Sequence, residues 1–198
     1  MQLAYYAFPW DDAGLRDIAR AQGGRLVDRK VTYSAACSEI VAEPPFAGVD
    51  VVRYEPDEPD ETLIRLARQS GEYSRFHTDP QVEPRVFEHI YDAWIRNSAN
   101  RTMADDVFVA RVDGITAGLV TVGERCGRGD IGLLAVDARA RRRGVGRALV
   151  ARARDWTLSR GMSAAQVVTQ GENTAACALY EACGYRAEQV LAVFHFWL

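Results

Sequence analysis

Apolar residues recur along this chain at two spacings, the helical repeat of three to four and the strand repeat of two. Asp12–Gln22 follows the first and stops at Gly23-Gly24, while Leu26–Tyr33 follows the second. Val49–Tyr54 predicts another strand. Glu55–Asp60, acidic and broken by Pro56 and Pro59, is either a linker or the loop into the next helix. Glu61–Gln69 is a predicted helix with Leu63, Ile64, Leu66 and Ala67 inward. Pro84 stands where a further helix would begin, followed by Val86, Phe87, Ile90, Tyr91, Trp94 and Ile95 in helical phase.

Downstream the pattern tightens. Val107–Val112 and Ile115–Val122 are apolar runs joined at Asp113-Gly114, a hairpin signal. Ile131–Val136 is nearly all apolar, as in a strand buried on both faces. Gly144–Arg160 predicts a long helix closed by Gly161, Ala164–Thr169 a buried strand, Thr174–Ala182 a helix, and Val190–Leu198 a last strand. Helices and strands in this order predict an α/β fold of the mixed α+β type around one sheet, with a small α/β segment at 1–48 and the main domain at 49–198.

Composition narrows the function classes. The chain has 198 residues, 48% of them hydrophobic and 26% charged, with a formal net charge of −3. A mildly acidic chain is not expected to bind nucleic acid, and no apolar run is long enough for a membrane span. The first residues lack a basic stretch followed by an apolar one, so a cytoplasmic location is expected. Cys37, Cys126, Cys177 and Cys183 show no C-x-x-C spacing and only three histidines are present, which predicts reduced thiols and no metal site. Every basic residue but Lys30 is arginine. Arg139, Arg141, Arg142, Arg143, Arg147, Arg152 and Arg154 crowd one stretch, which in an acidic chain calls for a partner or a solvated face.

That stretch carries the main chemical signal. After the Ile131–Val136 strand comes Arg141-Arg142-Arg143-Gly144-Val145-Gly146-Arg147, where a helix starts at two glycines. The leading N–H groups of a helix lack intrahelical partners, and with the helix dipole they attract anions. Glycine lets a phosphate approach the backbone, and arginine adds forked donors. The spacing fits neither G-x-G-x-x-G nor G-K-S/T, and a solvated basic turn explains the same residues. Asn173 stands at the start of the next helix, where capping alone accounts for it. Tyr180 shares its face and reads equally as a core tyrosine.

Together, R-R-R-G-V-G and N-T-A-A-x-x-L-Y-x-x-x-G-Y resemble the GNAT superfamily of acetyl-CoA-dependent acyltransferases over about Val49–Leu198. The resemblance implies acetyl-CoA as cosubstrate. Its diphosphate would lie on Arg141, Arg142, Arg143, Gly144, Val145, Gly146 and Arg147, and its pantetheine arm along Leu134, Ala135 and Val136 as an added strand. A splay between that strand and Ala164–Thr169 would admit the thioester. Asn173 would hydrogen-bond the pantetheine, Tyr180 would protonate the departing thiolate, and an amine acceptor would attack directly. The acceptor pocket is expected from Gly71–Pro80 and Trp94–Ser98, through Tyr73, Arg75, Phe76, Trp94 and Asn97. Glu124 is the first candidate base, with Glu72, His77 and Asp130 behind it.

Ser74-Arg75-Phe76 and Trp94-Ile95-Arg96-Asn97-Ser98 are similar to a narrower group, the dTDP-fucosamine acetyltransferases. That group implies a nucleotide-linked amino sugar as acceptor, and a homodimer is compatible with it. Acetylation of a protein N-terminus or a small-molecule amine, a non-catalytic acyl-CoA-binding module, and a structural or partner-binding role for the basic patch stay open alternatives.

Overall fold

Most of these patterns become elements in the computed structural model, which describes residues 2–41, 46 and 48–198. The first half runs β1 (Leu3–Pro9), α1 (Ala13–Ala21), β2 (Arg25–Ala36), β3 (Val49–Arg53), α2 (Glu61–Ser70), α3 (Arg75–Thr78) and α4 (Pro84–Ala99). The second runs β4 (Asp106–Val112), β5 (Ile115–Arg125), β6 (Arg128–Val136), a 3-10 turn (Ala138–Ala140), α5 (Val145–Ser159), β7 (Ala164–Gln170), α6 (Thr174–Ala182) and β8 (Arg186–Trp197).

Local chemistry sets many of the boundaries. Asp60 caps α2 by accepting the Leu63 N–H at 2.9 Å, and Pro84 opens α4, where its missing N–H costs nothing. Asp113 and Gly114, with φ of 52° and 79°, make the expected turn between β4 and β5. Cys126 and Gly127, with φ of 54° and 74°, make a second such turn between β5 and β6. This one is poorly legible, because cysteine is not among the residues that usually take left-handed backbone.

All eight strands form one sheet in the order β1-β8-β2-β7-β6-β5-β4-β3. Every neighbouring pair is antiparallel except β6 and β7. The first strands therefore do not stand apart as an appendage: β2 lies between β7 and β8, and β8 lies between β1 and β2. Residues 42–45 and 47, within the expected 1–48 segment, lie outside the described residues, and Glu55–Asp60 is the loop between β3 and α2.

Apolar side chains fill both faces. Leu63, Leu66 and Ala67 of α2 and Phe87, Tyr91 and Ile95 of α4 pack with Val107, Leu119, Leu133 and Ala135 on one. Val145, Leu149, Val150, Ala153 and Trp156 of α5 pack with Tyr180, Val120, Ile131 and Val167 on the other. A smaller cluster of Phe8, Ala19, Ala192 and Phe194 lies at the α1 end.

Candidate active site

The expected gap between β6 and β7 is present, and an extra residue in β6 accounts for where it opens. Opposite β5, Ile131 aligns with Val122 and Leu134 with Val120, so β6 spends one more residue than its partner, a bulge at Gly132-Leu133. The Leu133 N–H donates to the Thr121 hydroxyl at 2.8 Å. A Cβ on Gly132 would sit 2.8 Å from that oxygen, so a side chain there would press on the bulge. Pairing of β6 with β7 ends at Ile131–Val167, where the bulge begins, although both strands continue.

The bulge also reverses the phase of β6. Ile131, Leu134 and Val136 pack toward α5, and Leu133 and Ala135 toward α2 and α4. The strand is thus buried on both faces, Ile131 on one and Leu133 and Ala135 on the other, with half-buried residues between them. The N–H groups of Leu133 and Asp137 point at β5, the latter donating to Ala117 at 2.8 Å. By alternation the backbone polar groups of Leu134 and Val136 face the gap. The Val136 carbonyl accepts the Gln69 side-chain amide of α2 at 2.8 Å, so that acceptor already has a donor.

Beyond β6, Asp137 accepts the Arg139 N–H and is paired with Arg65, two contacts that hold its carboxyl below the usual range against the effect of burial. The chain then passes through left-handed conformations at Arg142 (φ 61°) and Gly144 (φ 82°) into α5. Gly144 is the N-cap and no side chain caps the helix. Any Cβ there would run into the Phe46 ring, so both φ and space demand glycine. The leading α5 amides are thus left to backbone, water or an anion. Arg141, Arg142, Arg143 and Arg147 are exposed around them, with Arg143 in a loose 3.4 Å pair with Asp113.

The gap opens into a cavity of about 310 Å³ lined by Leu133, Leu134, Val167–Gln170, Asn173 and Tyr180. Asn173 caps α6, its side-chain oxygen accepting the Ala176 N–H at 3.1 Å. Tyr180 is only 4% exposed, with its ring 6.0 Å from that of Tyr33 and 5.9 Å from that of Tyr185. Burial, with the thiols of Cys183 and Cys177 beside it, pushes its phenol well above the ordinary value, so it stays protonated at neutral pH.

Arg75, Phe76, Tyr91 and Trp94 line the same cavity. The segment bearing Arg75 is pinned by buried Asp79, which accepts from Trp197 at 2.9 Å and lies 2.7 Å from His195 Nδ1. Burial raises the Asp79 carboxyl, but the bonds from His195, Gln81 and Trp197 outweigh it and the net shift is downward. The Arg75 guanidinium stacks 4.2 Å from the Tyr5 ring centroid and 4.8 Å from that of Phe76.

Three expected acceptor residues are not in this cavity. Glu124 is exposed near the end of β5, its N–H tied to Asp105 at 3.2 Å; the next residue, Arg125, lines the cavity instead. Asn97 is exposed in the last turn of α4, its carbonyl receiving the N–H groups of Thr102 and Met103. Tyr73 borders a smaller cavity with Thr78, Gln170 and Glu172. Of the other candidate bases, Glu72 and His77 border a shallow recess beside α2, whereas Asp130 lines the main cavity. Burial raises the Asp130 carboxyl, and its Oδ1 accepts from Gln166 at 2.9 Å. Tyr5, Asp28 and Lys30 also line the cavity without having been singled out from the sequence. An aspartate inside an alternating strand was the available signal, since such residues are depleted there. Among the described residues no cluster of His, Cys, Asp or Glu could hold a metal ion, and no helix is long and apolar enough to cross a membrane.

Comparison with known proteins agrees with this geometry. Residues 61–185 match the Acetyltransferase (GNAT) family. The chain is 29% identical over 196 residues to the dTDP-fucosamine acetyltransferase of Escherichia coli O6:H1, an alignment covering 96% of this chain and 82% of that one. It is 28% identical over 144 residues to the spore coat polysaccharide biosynthesis protein SpsD of Bacillus subtilis, covering 72% of this chain and 50% of the relative. A GCN5-related N-acetyltransferase structure from Sphaerobacter thermophilus superposes with a TM-score of 0.64 at 15% identity, covering 98% of this chain and 59% of that one. The chain thus spans about half to three fifths of the length of the latter two proteins.

Proposed function

The chain belongs to the acetyltransferase (GNAT) family, and from that premise we propose that it moves an acetyl group from acetyl-CoA to the amine of a nucleotide-linked amino sugar of the dTDP-4-amino-4,6-dideoxyhexose type. The observation that carries the reading is one cavity lined by two unlike sets of residues. The strand gap, Tyr180 and Asn173 make up one set, and Arg75, Phe76 and Trp94 the other. The 29% identity to a dTDP-fucosamine acetyltransferase along nearly the whole chain supports the sugar as acceptor.

Acetyl-CoA supplies an activated acetyl thioester. The leading amides of α5, at Val145, Gly146 and Arg147, are the donors for its diphosphate, with Arg141, Arg142 and Arg143 around them. Leu134 and Val136 offer their gap-facing backbone to the pantetheine as a strand edge would, and Asn173 borders its path. The acceptor nitrogen forms a bond to the acetyl carbon, the C–S bond breaks with its electrons on sulfur, and Tyr180 gives that sulfur its phenolic proton. A phenol is a weaker acid than a thiol, about 10 against about 8.5 in reference pKa, and burial widens the difference. Tyr180 therefore acts through placement beside the leaving sulfur rather than through acidity. On the acceptor side, Arg75 is the cation for the sugar nucleotide's phosphate, and the Phe76 and Trp94 rings face its planar parts.

Thiol release from acetyl-CoA, measured over a panel of dTDP- and UDP-linked 4-amino sugars, peptide N-termini and simple amines, tests this. The dTDP-linked sugar is expected to give the highest kcat/KM. Release with peptides or simple amines but with none of the nucleotide sugars would remove the sugar reading and leave the acyl transfer.

A further inference from the structure

We propose that Asp28 is the group that binds the acceptor's ammonium and takes its proton. This assignment rests on the acyl-transfer reading and adds a residue to its site. Strand β2 carries a bulge ahead of Asp28: Leu26 aligns with Phe194 of β8, yet Asp28 aligns with Val193, leaving Val27 extra. Without that slip Val27 would oppose Val193, and Asp28 would point to the other face. With it, Asp28 lies beside Val193 in the wall of the main cavity, together with Arg75, Tyr91 and Tyr180. Its Oδ1 is sealed from solvent, and none of the described residues donates a hydrogen bond to it. Buried acceptors are nearly always satisfied, and an unmatched one just behind a cavity wall suits a ligand that brings its own donors once the carboxylate turns toward it. An alkylammonium does so and supplies the opposite charge. Asp130, the other carboxylate in the wall, already accepts from Gln166.

The electrostatics agree with a base that works near neutral pH. Burial pushes the Asp28 carboxyl up to about 7, opposed by Arg75 and Lys30 and assisted by Glu172, while Tyr91 of α4 also faces it. In the step, the Asp28 carboxylate takes one proton from R–NH3+, leaving R–NH2 to attack the acetyl carbon. The C–N bond forms, the C–S bond breaks, and the thiolate receives the Tyr180 proton. The surplus proton on the new amide nitrogen passes to the tyrosinate, and Asp28 returns its own to water.

Three readouts on wild type and Asp28→Asn test this, using the amine with the highest release in the panel. Wild-type kcat/KM for the acceptor should fall below about pH 7. The variant should lose about 100-fold in kcat at pH 7.5 and recover toward high pH, where the amine is already neutral, with acetyl-CoA affinity within twofold. The 13C titration of the Asp28 carboxyl needs no acceptor and should have its midpoint near 7. Because a raised carboxyl pKa costs stability as pH rises through it, Asp28→Asn should melt higher than wild type at pH 8 and lose that advantage at pH 4. Unchanged kcat and pH profile in the variant, or a titration midpoint at the ordinary aspartate value, would overturn the assignment. A panel without turnover on any amine would instead sink the acyl-transfer reading.

Discussion

The two sets of residues that line the cavity are built differently. The proposed cofactor side comes from contiguous chain: β6, the arginine-glycine turn and the start of α5 lie within Arg128–Arg147, and Asn173 caps the short helix that carries Tyr180. The proposed acceptor side is assembled from Tyr5, Asp28, Arg75, Trp94 and Arg125, which sit on five separate elements or their ends. A contiguous site depends on backbone conformation, so its weak points are glycines and strand register. An assembled site depends on tertiary placement, so single side chains can be exchanged there while the frame stays intact.

That contrast predicts a graded series of effects. The largest is expected from Gly144→Val, which puts a branched side chain at φ 82° against Phe46. Strained backbone at the helix cap should turn the amides away from the diphosphate, lowering acetyl-CoA affinity by about 100-fold or more in calorimetry. Tyr180→Phe should come next, with kcat reduced by about 100-fold and acetyl-CoA affinity within twofold. Equal loss of binding and turnover would mean that the tyrosine is chiefly a packing residue. Arg75→Ala should raise the acceptor KM about tenfold, the loss of one charge-assisted contact, and leave acetyl-CoA binding unchanged. An unaltered acceptor KM would take Arg75 out of phosphate recognition. Smallest of all, Glu124→Gln should keep kcat/KM within twofold, since the residue lies outside the cavity.

The same contrast explains what the sequence disclosed. The Arg141–Arg147 turn and the Asn173–Tyr180 helix were legible because the residues of each motif stand a few positions apart, on one turn or one helix face. Helices α2, α4, α5 and α6 were legible for the same reason. Asp28 was not, because its direction is set by a bulge that exists only once β2 pairs with β8. Nor was the place of the N-terminal strands: sequence order separates Leu3–Ala36 from the rest, while hydrogen bonding seats β2 between β7 and β8. Glu124 shows the opposite failure. Its nearness to a strand end suggested the site, but its exposed neighbour Arg125 borders the cavity instead.

The most direct test of the account is a crystal structure of the complex with acetyl-CoA. The diphosphate should lie within hydrogen-bonding distance of the Val145–Arg147 amides, with the pantetheine between β6 and β7 and the thioester sulfur beside the Tyr180 hydroxyl. Acetyl-CoA bound elsewhere, with those amides facing water and the strand gap empty, would contradict it.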